Sequence, residues 1–302
     1  MGTPDFAVPS LESLVQHGYE IPAVVTTPDR PRGRGREVLP SPVKRRAAEL
    51  GVPVLQPPSL KAPEFAGQLR NLSPDILAVV AFRILPKNIY SIPRFGSFNL
   101  HASLLPRYRG AAPIQRAIMN GEELTGLTTF FLEEEVDTGA VILQKAVPIA
   151  EEDDAGSLHD RLSVLGAALV LETVRLVEEG NAPRIPQDAS MATPAPKVLK
   201  GDCHIRWNQP ARSVRNLIRA LSPAPGAYTR HGGRVIKVYR AEMARDLQDL
   251  PAGEVLLEGG SLFVGTAESV LSLAELQQEG RRRLPVEEFL RGYRLRSGDR
   301  LE

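Results

Sequence analysis

Asn99 and His101 stand two residues apart in Phe98-Asn99-Leu100-His101, a short run that leads straight into the loop Ala102-Ser103-Leu104-Leu105-Pro106-Arg107-Tyr108-Arg109-Gly110. Residues two apart on a strand point to the same face. A carboxamide and an imidazole therefore project together from the carboxyl end of a strand, where open α/β sheets collect their ligands. A carboxamide can donate to a developing oxyanion, and an imidazole can move a proton near neutral pH. The alternative is a strand end at which both side chains merely satisfy loop backbone groups.

A third candidate is Asp137, in Glu133-Glu134-Glu135-Val136-Asp137-Thr138-Gly139. Asp-Thr-Gly is good turn chemistry, and a carboxylate beside His101 could orient the ring and stabilise its protonated form. The same tripeptide occurs in aspartic proteases, which need two carboxylates sharing a proton. This chain has one such tripeptide, and the α/β pattern around it argues against that fold. The remaining histidines, His17, His159, His204 and His231, sit in capping, polar or glycine-rich contexts. No two histidines have helical metal spacing, and the one cysteine, Cys203, supports neither a zinc cluster nor a disulfide framework. No metal is expected.

Charge is balanced overall, with 37 basic and 36 acidic residues, but not locally. From Arg30 to Arg46 there are seven basic residues and one acidic residue in a stretch rich in proline and glycine. Such runs are commonly solvated surface; read functionally, this one would meet phosphates. From Lys200 to Glu302 there are 17 basic and 13 acidic residues, with clusters at Arg281-Arg282-Arg283 and at Arg291, Arg294 and Arg296.

The elements that must carry these residues alternate through the first 180. Ile21 to Thr26 and the unbroken Ile76 to Phe82 read as buried parallel strands. Pro9 to His17, Pro113 to Asn120 and the stretch marked by Leu158, Leu162, Leu165, Leu169 and Leu176 read as helices, each closed by a glycine. That alternation implies a doubly wound sheet. Pro183, Pro186, Pro194 and Pro196 then mark a linker over 181–199. Residues 200–302 hold one helix, Ala211 to Leu221, and closely spaced short strands that suggest a small β-barrel. At 302 residues two domains are expected, 1–180 and 200–302. No apolar run is long enough to span a bilayer and Pro4, Asp5 and Pro9 replace a leader, so a cytoplasmic location is expected.

The motifs resemble one family. Gly2-Thr3-Pro4-Asp5-Phe6-Ala7, Pro28-Asp29-Arg30-Pro31 with Gly33-Arg34-Gly35, Pro40-Ser41-Pro42-Val43-Lys44, the run from Asn99 to Gln115 and Asp137-Thr138-Gly139 are all similar to methionyl-tRNA formyltransferases. The resemblance covers nearly the whole chain and is weakest after the linker. It implies a Rossmann-like formyltransferase domain followed by a small tRNA-gripping β-barrel. The implied reaction moves a formyl group from 10-formyltetrahydrofolate to the α-amino group of initiator methionyl-tRNA. It implies that Asn99, His101 and Asp137 are catalytic, that Ser103, Leu104, Leu105 and Pro106 form part of the folate site, and that Arg34, Arg36 and Lys44 meet the tRNA. A monomer is expected. The competing expectations are a formyltransferase acting on a nucleotide-linked sugar or small amine, and a non-catalytic RNA-binding protein on the same fold.

Two departures stand out. Arg83 follows Phe82 where the family has glycine, near the expected pterin position. The chain also opens at Met1-Gly2, where the family has an apolar strand. The expectation is an empty strand slot between the Ile21 and Ile76 segments, and a natural protein that begins several residues upstream.

Overall fold

Val24-Val25 and Leu77 to Val80 are apolar and β-branched, which suits strands covered on both faces. In the computed structural model, which describes residues 1–32, 37–244 and 250–302, they lie in the middle of a largely parallel layer. In chain order, the elements up to residue 178 are α1 (Val8–Gln16), β1 (Val24–Val25), β2 (Arg30–Arg32), β3 (Glu37–Leu39), α2 (Pro42–Glu49), β4 (Val54–Leu55), α3 (Pro63–Asn71), β5 (Leu77–Val80), α4 (Lys87–Tyr90), β6 (Ser97–His101), α5 (Pro113–Met119), β7 (Leu124–Phe131), β8 (Val141–Pro148) and α6 (Ala155–Glu178). β4 and β1 pair in parallel, as do β5 and β6, and β7 and β8 continue the sheet antiparallel.

Met1 and Gly2 lie in the slot between β1 and β5. Gly2 N donates to Val25 O at 3.0 Å, and Val80 N donates to Met1 O at 2.9 Å. A Cβ on Gly2 would stand 2.6 Å from Ala7 Cβ, so only glycine fits where α1's approach crosses the sheet. The layer thus runs outward in opposite senses on either side of Met1-Gly2, the crevice arrangement of doubly wound folds.

The strands expected at 21–26 and 76–82 form as the shorter β1 and β5. After β5 the chain leaves the sheet at Ala81, whose φ is +48°. β7 and β8 did not stand out in the sequence. β7 is buried at every residue after Leu124, and its threonines Thr125, Thr128 and Thr129 sit inside the core, so no polar-apolar alternation marks it.

The chain forms two compact units that interleave along the sequence: 1–110, 124–148 and 159–195 in one, 111–123, 149–158 and 196–302 in the other. Residues 181–195, which read as linker, are tied into the first unit. Val141 N donates to Ile185 O at 2.8 Å and Ile185 N returns the bond at 3.0 Å. Tyr108 N donates to Thr193 Oγ1 at 2.9 Å, and Arg109 N to Thr193 O at 2.9 Å.

The second unit adds α7 (Ala211–Leu221), β9 (Ala227–His231), β10 (Arg234–Met243), β11 (Val255–Glu258), β12 (Ser261–Gly265), β13 (Val270–Gln278), β14 (Leu284–Pro285) and α8 (Val286–Gly292). The antiparallel order is β11-β12-β13-β10-β9. Its two edges are joined by the chain end. Val255 N donates to Asp299 O at 2.9 Å, while Arg230 and Glu302 exchange backbone bonds of 2.9 Å each. The sheet therefore closes into the small barrel that the strand spacing implied. Trp207, Ile218, Val238, Leu262, Leu273 and Phe289 fill its core, with Met119 of α5 packed against them.

In the first unit one threonine organises the loop after β6. Thr128 is fully buried opposite His101 in the ladder. Its hydroxyl donates to Ser103 O at 2.7 Å and accepts from Leu105 N at 3.1 Å and from Gln144 Nε2 at 3.0 Å. Thr128→Val keeps the shape but strands a buried carbonyl and a buried N–H. The expected cost is on the order of 2 kcal/mol, read as a fall of about 4–8 °C in the melting transition of the first unit. A melting curve that matches the wild type would contradict this role.

Candidate active site

Asn99 and His101 occupy β6 between β5 and β7: Asn99 lies opposite Val79 and Phe130, and His101 opposite Thr128. The pleat sends both side chains to one face. His101 is 6% exposed. Its Nε2 lies 2.8 Å from Tyr108 O. A carbonyl only accepts, so Nε2 carries the proton in that bond. The other ring nitrogen, Nδ1, faces Asp137 Oδ2 at 3.8 Å. His101 thus presents to Asp137 the one nitrogen whose protonation is not fixed by the loop.

Both partners reach the ring from unusual backbone. Tyr108 has φ +60° and Asp137 φ +59°. The left-handed region is tolerated by Asp and costly for a bulky residue such as Tyr. Tyr108 is held there by the Thr193 hydroxyl on its N–H. Asp137 Oδ2 accepts from Gly110 N at 2.8 Å, so the carboxylate is anchored to the loop that supplies Tyr108. Gly110 has φ +125°, and a Cβ there would stand 2.6 Å from Ala195 O, so glycine alone fits. Gly139 lies against the carbonyl of Phe131 with no room for a Cβ, which fixes the far end of the Asp137 turn.

Asn99 is half-buried, and its carboxamide makes no hydrogen bond to any described residue. The reading of Asn99 and His101 as loop-satisfying residues therefore holds for one His101 nitrogen and fails for Asn99. A half-buried carboxamide without a protein partner, on the same face as a buried imidazole-carboxylate pair, is suited to an oxygen that gains charge.

The loop Ser103 to Pro106 follows directly. Ser103 is buried and its hydroxyl donates to Arg107 O at 2.6 Å, so it shapes the turn. Leu105 is buried and its carbonyl accepts from Gln144 Nε2 at 2.8 Å. Leu104 and Pro106 remain half-exposed. Leu104 rests on Gly126, where a Cβ would come within 2.5 Å of its Cδ2. At the neighbouring strand end, Arg83 donates to Pro57 O at 3.0 Å and stands 5.3 Å above the Phe82 ring. Its charge is thus turned onto loop carbonyls.

Lys44 lies in the first turn of α2, with its ammonium paired to Asp29. That bond and a 2.8 Å bond from Gln56 Nε2 hold Asp29 below the usual carboxylate range. Arg34 and Arg36 fall outside the described residues. The remaining histidines have structural partners: His17 Nδ1 meets Ser13 O, His159 meets Asp160, His204 meets Glu302 O, and His231 meets Tyr293 and Asp299. Among the described residues no group of three or more His, Cys, Asp or Glu is placed to hold a metal, and no helix is long and apolar enough to cross a membrane.

Sequence reasoning did not find Tyr108, Gly110, Thr128 or Gln187. Tyr108 and Gly110 act through backbone atoms, for which side-chain type gives no signal. Thr128 looks like any strand residue, and Gln187 lies among prolines.

Comparison with known proteins places the chain in one family. Residues 1–174 match the formyl transferase family and residues 197–294 match the formyl transferase C-terminal domain. A methionyl-tRNA formyltransferase of Pelotomaculum thermopropionicum is 50% identical over 301 residues, covering 99% of this chain and 96% of the relative. One of Caldanaerobacter subterraneus is 46% identical over 300 residues, covering 99% and 97%. Among solved structures, an N-formyltransferase from Helicobacter canadensis in complex with folinic acid and dTDP-3-aminofucose has a TM-score of 0.68 at 18% identity, over 92% of this chain and 97% of that one. HypX from Aquifex aeolicus in complex with tetrahydrofolic acid has a TM-score of 0.60 at 20% identity, over 80% of this chain and 43% of that one. These two share the fold. With both family models matched in order and half of the residues identical to one relative over 99% of the chain, the chain belongs to the methionyl-tRNA formyltransferase family.

Proposed function

We infer that the protein transfers the formyl group of 10-formyltetrahydrofolate to the α-amino group of methionine on initiator methionyl-tRNA, for translation initiation. The observation that carries this reading at the site is the Asn99 carboxamide, half-buried and without a described partner, beside His101 and Asp137. The folate supplies an activated formyl carbon, and attack on it by the methionine amine moves negative charge onto the formyl oxygen.

Asn99 donates to that oxygen. His101 cannot do so through Nε2, which Tyr108 O occupies. Its Nδ1, facing Asp137, takes the proton that leaves the amine and returns it to N10 of the folate as the N10–formyl bond breaks, so that tetrahydrofolate leaves with a neutral amine. Asp137, anchored by Gly110 N–H, stabilises the charged ring when Nδ1 is protonated. The half-exposed Leu104 and Pro106 offer an apolar wall for the folate, while Ser103 and Leu105 hold that wall in shape. Asn99, His101 and Asp137 come from one chain, so a monomer suffices for the chemistry. The tRNA substrate implies a cytoplasmic location.

The basic stretch 30–46 supplies the charge that an RNA substrate needs, and Arg34 and Arg36 are proposed to meet the acceptor end. Lys44 contributes through its charge at the base of that stretch while paired with Asp29. The C-terminal barrel, with its excess of basic residues, is proposed to grip the remainder of the tRNA.

Asn99→Ala should lower kcat by about 10²–10³-fold, the usual loss of an oxyanion donor. Its tRNA affinity should stay near wild type, because the amide acts mainly in the transition state. Turnover close to wild type would remove Asn99 from the mechanism. Arg34→Ala should weaken tRNA binding, leave folate binding intact and flatten the log–log salt dependence of tRNA affinity by about one unit. An unchanged slope would mark the stretch as solvated surface. An assay offering methionyl initiator tRNA, elongator tRNA and sugar-nucleotide amines with the same donor tests the acceptor: the first should be formylated far faster than the others.

A further inference from the structure

Gln187 is so far without a role in the reaction. Among the described residues its side chain makes four hydrogen bonds, all to the two segments that bracket His101. Oε1 accepts from Arg109 Nε at 3.1 Å and Arg109 Nη2 at 2.7 Å. Nε2 donates to Asp137 O at 2.9 Å and to Gly139 O at 2.8 Å. One planar amide therefore spans the loop that supplies Tyr108 and the turn that supplies Asp137.

The Asp137 turn needs such a tie. Asp137 sits at φ +59°, which Asp tolerates, so the place of its carboxylate is set by the bonds that hold the turn. Its side chain is anchored by Gly110 N–H and its backbone carbonyl by Gln187, so the carboxylate is fixed from both ends. Arg109, the residue between Tyr108 and Gly110, is drawn to the same amide. Gln187 thus links the loop that carries Tyr108 to the turn that carries Asp137.

We propose that Gln187 is a positioning residue for formyl transfer, holding the Asp137 carboxylate at His101 Nδ1 through the two bonds that its amide N–H groups donate to the 137–139 turn. This rests on the reading of Asp137 as the catalytic partner of His101. The surrounding stretch has its own anchors in the Ile185–Val141 and Thr193–Tyr108 bonds, so variants at Gln187 should fold.

The test uses the full-length protein with Gln187→Met, which loses all four bonds, and Gln187→Glu, which keeps the acceptor for Arg109 but has no N–H to donate. Displacement of a reacting group by about 1 Å can cost on the order of 10²-fold. Both variants should lower kcat by about 10- to 100-fold, with KM for tRNA and folate unchanged and the protein still folded at the assay temperature. Without substrate, the Gly110 amide should exchange with solvent faster in both variants, because its acceptor on Asp137 is released. Wild-type kcat and Gly110 exchange in Gln187→Glu would overturn the proposal, leaving Gln187 as a partner of Arg109 alone. Asp137→Asn separates the two readings. Loss of turnover in Asp137→Asn with full turnover in Gln187→Glu overturns the positioning role alone. Full turnover in Asp137→Asn overturns the reading of Asp137 and the proposal with it.

Discussion

The hydrogen bond from His101 Nε2 to the Tyr108 carbonyl is the constraint around which the site is arranged. It consumes one ring nitrogen and leaves the other as the only place where a proton can come and go. A loop that had merely covered the strand end could have left either nitrogen free. The backbone of this one is bent into the left-handed region at Tyr108, which aims a carbonyl inward. The loop's return is then tied to Thr193 and Ala195 and its start to Thr128, so that bond is imposed on the ring from both sides.

The arrangement divides labour between rigid and adjustable parts. Asn99 and His101 take their spacing from a strand paired on both sides, where the pleat fixes them relative to one another. Asp137 arrives from a turn, and turns are placed by what they touch. Here the contacts are a glycine pressed on the Phe131 backbone, the Gly110 amide and the Gln187 side chain. Precision at the third member of the set is thus borrowed from tertiary structure. The role proposed for Asp137 needs neighbours that are themselves locked.

That division also decides what the sequence made legible. Asn99 and His101 could be paired from spacing alone, because the period of a strand is a local property. The helix at Ala211–Leu221 and the barrel strands were readable for the same reason. Asp137 could be nominated by its turn chemistry, yet nothing local joined it to His101. Tyr108 and Gly110 contribute a carbonyl and an N–H, which every residue type but proline has. The proline-rich stretch suggested a linker, because its lack of apolar period says nothing about hydrogen bonds to a distant turn. The barrel's closure by residues 299–302 was hidden too, since a four-residue tail carries no strand signal of its own.

The central claim is that His101 works through Nδ1 because Tyr108 holds Nε2 protonated. The direct measurement is the nitrogen NMR spectrum of histidine-labelled protein, with His101 assigned by its absence in His101→Asn. The account predicts that the neutral ring carries its proton on Nε2 and leaves Nδ1 bare. A neutral form with the proton on Nδ1 and a bare Nε2 would contradict it.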